Sequence, residues 1–138
     1  QGVLLTGLGT FAVIQEQFHI KEEVYVVRRP VFQIDMDMLY LQKLSYPTVV
    51  IPGNARIKPL NYKWLSRATL LPRRVVEDCV RETILLYSSH LKKGEHLSFV
   101  FKDIGVLSCK DDVLCMRFFH ECVTGLESKA SHIALLRT

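Results

Sequence analysis

The sequence predicts an α+β fold for this 138-residue chain, and three observations lead to it. Runs rich in Val, Tyr and Phe in both halves favour β-strands. A long segment between them, residues 72–94, carries apolar residues at helical spacing. The stretches LGTFAV (8–13) and IGVLSC (104–109) share one order of apolar residues and glycine, which indicates that a single structural unit occurs twice.

Composition places the chain among globular proteins. It is 49% hydrophobic and 23% charged, with a net charge of +4, which is a mild basic excess. No apolar run approaches the roughly 18 residues that span a membrane, and no secretory signal pattern is present, so we expect an intracellular protein without a membrane partner. The chain opens at Gln1 without Met, inside a predicted strand, and we expect it to be a piece of a longer protein.

The first copy is predicted from alternating and β-branched residues. Its expected elements are a strand over 2–16, a hairpin tip over 17–22, a return strand over 23–34, and a short helix capped by Asp35 or Asp37 with Met38, Leu41 and Leu44 on one face. Glycine inside a strand usually marks a bend or a close backbone approach. Because the glycine recurs in the second copy while its neighbours differ, we interpret Gly7, Gly9 and Gly105 as a structural kink.

Three prolines and a glycine in residues 45–59 predict an extended linker. The predicted organisation is therefore a partial first domain over 1–44, a linker over 45–59 and a complete second domain over 60–138. The second domain is complete because a helix pair precedes its strands, whereas the first begins at its strands and lacks that pair. A short helix should carry Leu60, Trp64 and Ala68 on one face, and a long one Val76, Val80, Ile84, Tyr87 and Leu91.

The strands of the second copy are predicted in HLSFVFKDIGVLSC and VLCMRFFHEC, with a tight turn at Lys110, Asp111 and Asp112 and a last helix in the tail. We align the two return strands, VYVVRRPVF (24–32) and VLCMRFFHE (113–121), by matching Arg29 with Arg117. The length difference between the copies then falls at the hairpin tip.

Catalytic patterns are absent from the sequence. We find no paired nucleophile and base, no metal-ligand spacing among the four cysteines and five histidines, and no phosphate-binding glycine pattern followed by a helix. We therefore expect a protein that is not an enzyme and that takes no cofactor, metal or small-molecule substrate.

Several stretches carry a resemblance to a known family. Helix, turn, long helix, Lys93-Gly94, a strand with GLGTF, a hairpin and RRPVF resemble the bacterial HU/IHF family of DNA-bending proteins. The stretches RRPVF, CVRETILLYSS, FKDIGVL and VLCMRFF are most similar to a eukaryotic branch, the coiled-coil domain-containing protein 81 family. The resemblance implies tandem HU/IHF-like units, each a helix pair followed by a kinked antiparallel hairpin and a short C-terminal helix. It also implies coiled coils elsewhere and association with the centrosome, a microtubule-organising centre of the cytoskeleton.

The resemblance implies two readings of function. Bacterial relatives grip DNA with a long basic arm tipped by proline, whereas the tips here, QEQFHIKEEV and CKDDV, are short, acidic and free of proline. We therefore expect a non-catalytic scaffold that binds protein partners through Phe18 and His19 at the first tip, self-associates, or forms an intrachain pseudo-dimer. The alternative is nucleic-acid binding by a basic body surface without the long arm. The residues for that surface are Arg28, Arg29, Arg73, Arg74, Lys92 and Lys93.

Overall fold

The computed structural model describes residues 1–126 of the chain. The elements run in the order β1 (Gly2–Leu5), β2 (Gly9–Ile20), β3 (Glu23–Ile34), α1 (Met38–Leu41), β4 (Ile57–Pro59), α2 (Tyr62–Thr69), α3 (Arg73–Lys92), β5 (Phe99–Phe101), β6 (Gly105–Lys110) and β7 (Val113–Phe118). Residues 120–126 are also helical, and the rest of the predicted tail helix lies outside the described residues. Among residues 1–126, no helix has the length and apolar character needed to cross a membrane.

The first sheet has the strand order β3-β2-β1-β4. The single strand predicted over 2–16 is wrong, because a tight turn divides it into the antiparallel pair β1 and β2. In this turn the Leu8 amide donates to the Leu5 carbonyl at 3.0 Å, and Gly7 has a φ of +87°. That φ suits a residue without Cβ at the third position of a turn.

The second sheet, β5-β6-β7, repeats this arrangement. The strand predicted through HLSFVFKDIGVLSC is also broken, since the Ile104 amide donates to the Phe101 carbonyl at 3.0 Å. Asp103 has a φ of +64° and occupies the position of Gly7. The register is shared as well, because Phe101 pairs with Gly105 as Leu5 pairs with Gly9. The two sets of three strands therefore have one backbone plan.

The two hairpins differ in length. The β2–β3 ladder has twelve residue pairs, from Gly9–Ile34 to Ile20–Glu23, and the β6–β7 ladder has six. The prediction that the first hairpin is short is therefore wrong. Its tip is not the predicted 17–22 loop but a two-residue turn at Lys21 and Glu22, which both have positive φ as in type I′ turns.

Pairing also corrects the alignment of the two copies. Gly9 pairs with Ile34 and Gly105 pairs with Phe118, so Arg117 corresponds to Gln33 rather than to Arg29. The sequence alignment placed the whole insertion in a loop at the tip. In the structure the additional residues are paired between β2 and β3. The residues of the two return strands that correspond to each other therefore differ from those that the sequence alignment matched.

Gly9 and Gly105 lie at the same closely packed position. A Cβ on Gly9 would lie 2.3 Å from the Gln33 carbonyl oxygen, and one on Gly105 would lie 2.4 Å from the Arg117 carbonyl oxygen. Neither residue has a positive φ, so what each position requires is space for the neighbouring strand.

Helix α3 follows its predicted pattern. It starts after Pro72, whose missing N–H costs nothing at a helix start, and Gly94 follows the C-cap Lys93 with a φ of +80°. Of the predicted inward residues, Val76, Ile84, Tyr87 and Leu91 are buried and Val80 is half-buried. The 3.6-residue period of this segment was therefore sufficient to identify its buried face.

One hydrophobic core joins the two sheets and α3. The buried cluster includes Leu8 and Phe32 from the first sheet, Leu107 from the second, and Ile84 from α3. Phe11 lies between the sheets with its ring centroid 4.6 Å from Phe32, 4.9 Å from Phe101 and 6.5 Å from Phe118, mostly in tilted or edge-on geometry. Each sheet thus buries its apolar face against the other.

The short elements depart from prediction in part. Asp37, one of the two predicted capping residues, is the N-cap of α1. Of the residues predicted to share one face of this helix, Leu41 is buried but Met38 is exposed. Within 45–59, β4 adds a parallel strand beside β1, and the Gln33 side-chain amide donates to the Val49 carbonyl at 2.9 Å. The extended segment is therefore fastened to the first sheet at both of these points.

Gly105→Ala should destabilise the protein by about 2–4 kcal/mol, because the new methyl group overlaps the Arg117 carbonyl. The matched control is Gly53→Ala, since a Cβ at Gly53 meets no atom within 4 Å. We expect the control to change the free energy of unfolding by no more than about 0.5 kcal/mol. Urea unfolding monitored by circular dichroism measures both, and equal midpoints would contradict the close approach.

Tyr87→Phe should make the free energy of unfolding fall less steeply with pH in the alkaline range. Burial, followed by the neighbouring Cys109 thiolate, raises the pKa of Tyr87 from its ordinary value near 10 to about 12. The neutral phenol is favoured in the folded state, so its stabilising contribution is complete below pH 10 and lost as the pH rises through 12.

Between pH 10 and pH 12, the free energy of unfolding should fall by about 2 kcal/mol more in the unsubstituted protein than in the Tyr87→Phe variant. At neutral pH the variant should be about 1 kcal/mol less stable, because the hydroxyl donates to the Leu107 carbonyl at 3.2 Å. Urea midpoints from pH 7 to 12 measure both effects, with the exposed Tyr46→Phe as control. Parallel profiles for the variant and the unsubstituted protein would contradict the assignment.

Candidate interaction surface

The most distinctive surface is the outer part of the β2–β3 hairpin, residues 14–29, which we call the arm. Pairing between β1 and β2 ends at Ala12, and the last contact of β2 with the chain start is the Val13 amide on the Gln1 carbonyl at 3.2 Å. Beyond this point neither arm strand has a further strand partner among residues 1–126. Among the described residues the arm is therefore a two-stranded ribbon, and no other described strand pairs with either of its backbone edges.

The two faces of the arm carry exposed apolar side chains. Phe18 pairs with Tyr25 on one face, together with Ile20, while Val24 lies on the other face opposite His19. Phe18 is 44% exposed and Ile20 is 57% exposed. Apolar side chains exposed to water add no stability to a two-stranded ribbon, so the exposed residues Phe18, Ile20, Val24 and Tyr25 are a candidate contact surface.

The charges of the arm compensate one another. It carries the acidic residues Glu16, Glu22 and Glu23 and the basic residues Lys21, Arg28 and Arg29. The Arg29 guanidinium donates to the Glu16 carboxylate at 3.0 Å, so the positive charge of Arg29 is paired with a negative one. The Tyr25 hydroxyl donates to Glu23 at 2.6 Å, and this hydrogen bond, followed by the carboxylate charge, raises the pKa of Tyr25.

The six basic residues proposed for nucleic acid do not form one patch. Arg28 pairs with Gln15 and Arg29 with Ile14, so the two arginines lie on opposite faces of the arm. The other four lie at opposite ends of α3, which at 20 residues and about 1.5 Å per residue is roughly 30 Å long. Arg73, at the helix start, also forms an ion pair with Glu77 at 2.8 Å.

The cysteines and histidines stay dispersed. All four cysteines are free, and Cys109 pairs with Leu114 across the β6–β7 hairpin. Burial raises the pKa of the Cys109 thiol, with a smaller effect from Asp112. Among the residues that the structure describes, no three His, Cys, Asp or Glu side chains gather in a group able to hold a metal ion.

Sequence reasoning missed two features of the surface. The first is that the arm carries exposed apolar residues besides Phe18. The sequence signal for this was the alternation of apolar residues along both strands, which includes Ile20 and Tyr25. The second is a groove of about 1060 Å³ between β1, β2, α2 and the helical residues 120–126. Trp64, which was predicted to share one face of this helix with Leu60 and Ala68, lines the groove and is 63% exposed.

A protein-family model matches part of the chain. Residues 56–130 match the family described as CCDC81 eukaryotic HU domain 2. The match spans more than half of the chain and includes β4, α2, α3 and the whole second sheet.

Proposed function

The chain belongs to the CCDC81 family of eukaryotic HU-domain proteins, and from this premise we propose that it is a non-catalytic protein-interaction module. In this proposal the module is part of a centrosome-associated coiled-coil protein of the cytoplasm and cytoskeleton. The arm contacts a protein partner, and the body of the module holds the arm in place. The centrosomal assignment rests on the sequence resemblance to the family.

The same proposal includes two HU-like units in one chain, over 1–44 and 60–138, paired as an intrachain pseudo-dimer. The shared register of the two sets of strands supports it, because each has a tight turn, a closely packed glycine and a type I′ tip at equivalent positions. The common core between them supports it further, since two HU-like units would bury their sheets against each other.

The single observation that carries the interaction proposal is the chemistry of the arm. Its exposed Phe18, Ile20 and Tyr25 offer apolar area, and its open edges offer backbone hydrogen bonds to an added strand. Its three acidic and three basic residues leave no excess positive charge for phosphates. The exposed apolar area and the balanced charge both favour a protein partner over duplex DNA.

Nucleic-acid binding is the second candidate, and the length of the arm favours it. Twelve pairs of ladder give the hairpin a reach of the kind that arm-using DNA benders need. The tip nevertheless carries Lys21 and Glu22 where those proteins place a proline wedge. We therefore rank this candidate below protein interaction.

The double variant Phe18→Ser, Tyr25→Ser should remove the module from its partner while leaving the fold intact, because both side chains are exposed and outside the core. We expect recruitment of the tagged full-length protein to centrosomes to weaken roughly tenfold or more, as for the loss of interface anchors. The matched control is Leu86→Ser, Val100→Ser, which removes two exposed apolar residues away from the arm. Equal recruitment of both variants and the unsubstituted protein would contradict the proposal.

Duplex DNA should not bind the 138-residue chain with a Kd tighter than about 100 µM, even at about 50 mM salt, because few phosphates would be neutralised. Fluorescence anisotropy of a labelled duplex at about 50 and 200 mM salt measures this. Tight binding that falls steeply with salt would contradict it. If that binding were lost in Arg28→Ala, Arg29→Ala and kept in the equally charged control Arg67→Ala, Arg81→Ala, the arm would be the DNA site.

A further inference from the structure

The outer edge of β3 carries backbone groups that point away from the molecule. In an antiparallel ladder such as β2–β3, hydrogen-bonded pairs alternate with pairs whose N–H and C=O groups point outward. The Asp35 amide donates to the Leu8 carbonyl at 3.0 Å, which makes the next pair, Gly9–Ile34, an outward one. Along the register from there, the even-numbered residues of β3 direct their backbone groups outward.

The free part of this edge has a definite length. The Val13 amide points away from β3 and donates to the Gln1 carbonyl at 3.2 Å, so its ladder partner Pro30 also faces outward. Pro30 has no N–H, and it therefore closes the edge at one end. At the other end β3 begins at Glu23, directly after the tip. The outward residues between these ends are Val24, Val26 and Arg28.

A second copy of this edge can pair with it antiparallel, because outward residues then face outward residues. With Val26 opposite Val26 of the second copy, Val24 faces Arg28 and Arg28 faces Val24. Each of these pairs exchanges backbone hydrogen bonds in both directions. This register uses the whole free edge and leaves Pro30 outside it.

The neighbouring registers are less favourable. A slip of two residues in one direction places Pro30 opposite Val24 and removes an N–H from the contact at both ends. A slip of two residues in the other direction places Lys21 opposite Arg29, which brings like charges together at both ends. The register centred on Val26 avoids both conflicts.

The side chains also match in the centred register. Glu23 faces Arg29 of the second copy and Tyr25 faces its Val27, and the symmetry repeats both contacts. Arg29 has a side chain that is 56% exposed, and besides the N–H that it donates to Glu16 it has others to donate. The contact therefore joins opposite charges at its ends and apolar side chains nearer its centre.

The edge of β2 offers no such match. Its outward residues are Gln15, Gln17 and His19, and symmetric pairing about Gln17 places Glu16 against Phe18. No opposite charges meet there, and the edge is occupied at Val13 by the chain start. Charge complementarity thus selects β3.

We propose that the arm pairs with the arm of a second copy of this chain, edge to edge along β3, with Val26 at the twofold axis. This inference rests on the proposed function, since it names the partner of the arm. A ribbon of two strands is marginal in water, and joining two ribbons into one sheet provides the strands that it lacks. Because the same edge is used on both sides, association stops at the dimer.

Charge reversal tests the contact. Sedimentation equilibrium of the 138-residue chain at about 50 mM salt gives the dimer Kd. Glu23→Arg alone, or Arg29→Glu alone, places like charges opposite each other at both ends, so each variant should raise this Kd roughly tenfold or more. An equimolar mixture of the two variants should restore the association, because every reversed charge then faces an opposite charge.

The matched control is the pair Glu82→Arg and Arg67→Glu, which reverses the same charges at exposed positions of α3 and α2. These variants should leave the dimer Kd unchanged, alone or mixed. Thermal unfolding monitored by circular dichroism checks that each variant still folds.

A disulfide between copies reports the register. In a chain with the exposed Cys79 replaced by Cys79→Ser, Tyr25→Cys and Val27→Cys are oxidised separately and as a mixture. Only facing residues bring their Cβ atoms close enough to bond. The mixture should give a disulfide between positions 25 and 27, read by peptide mass spectrometry, and neither variant alone should link to itself.

Three results would overturn the inference: a chain that stays monomeric up to about 1 mM, charge variants whose mixture associates no better than either alone, or self-linked Tyr25→Cys. A monomeric chain together with loss of Phe18→Ser, Tyr25→Ser from centrosomes would overturn the dimer and keep the proposed function. Restored dimerisation of the mixed charge variants together with normal recruitment of that double variant would support the dimer and overturn the proposed function.

Discussion

The contact between the two sheets through Phe11 is the constraint on which the rest of the structure depends. Its ring touches Phe32 of its own sheet and Phe101 and Phe118 of the other, within 6.5 Å between centroids. Neither set of three strands could keep its apolar face in water alone. Joined, they form the floor on which α3 packs and the base from which the arm projects.

The asymmetry of the two hairpins separates the residues that build the core from those that stay exposed. Both share the closely packed glycine and the stem that contributes to the core. The six extra residue pairs of the first hairpin bury little, since most of its tip is exposed. The exposed apolar side chains of Phe18, Ile20 and Tyr25 lie in this part of the hairpin, which the core does not use.

Family membership constrains the fold more strongly than the function. The matched residues 56–130 define an HU domain, and the helix pair and strands within them account for that match. DNA bending, however, depends on the charge and tip of an arm, and residues 14–29 carry balanced charges. The same scaffold thus carries an arm with exposed apolar side chains and no excess of positive charge.

The sequence alone determined the elements whose information is local. The period of α3, its Pro72 start and its Gly94 end, a capping aspartate at 35 or 37, and the recurring Gly9 and Gly105 could be predicted, because propensity and capping act within a few residues. Only the tertiary structure decided the register of the hairpins, the turns at Gly7 and Asp103, and the pairing of β4 with β1. These depend on which backbone groups meet across the chain, and alternating side chains are compatible with several such pairings.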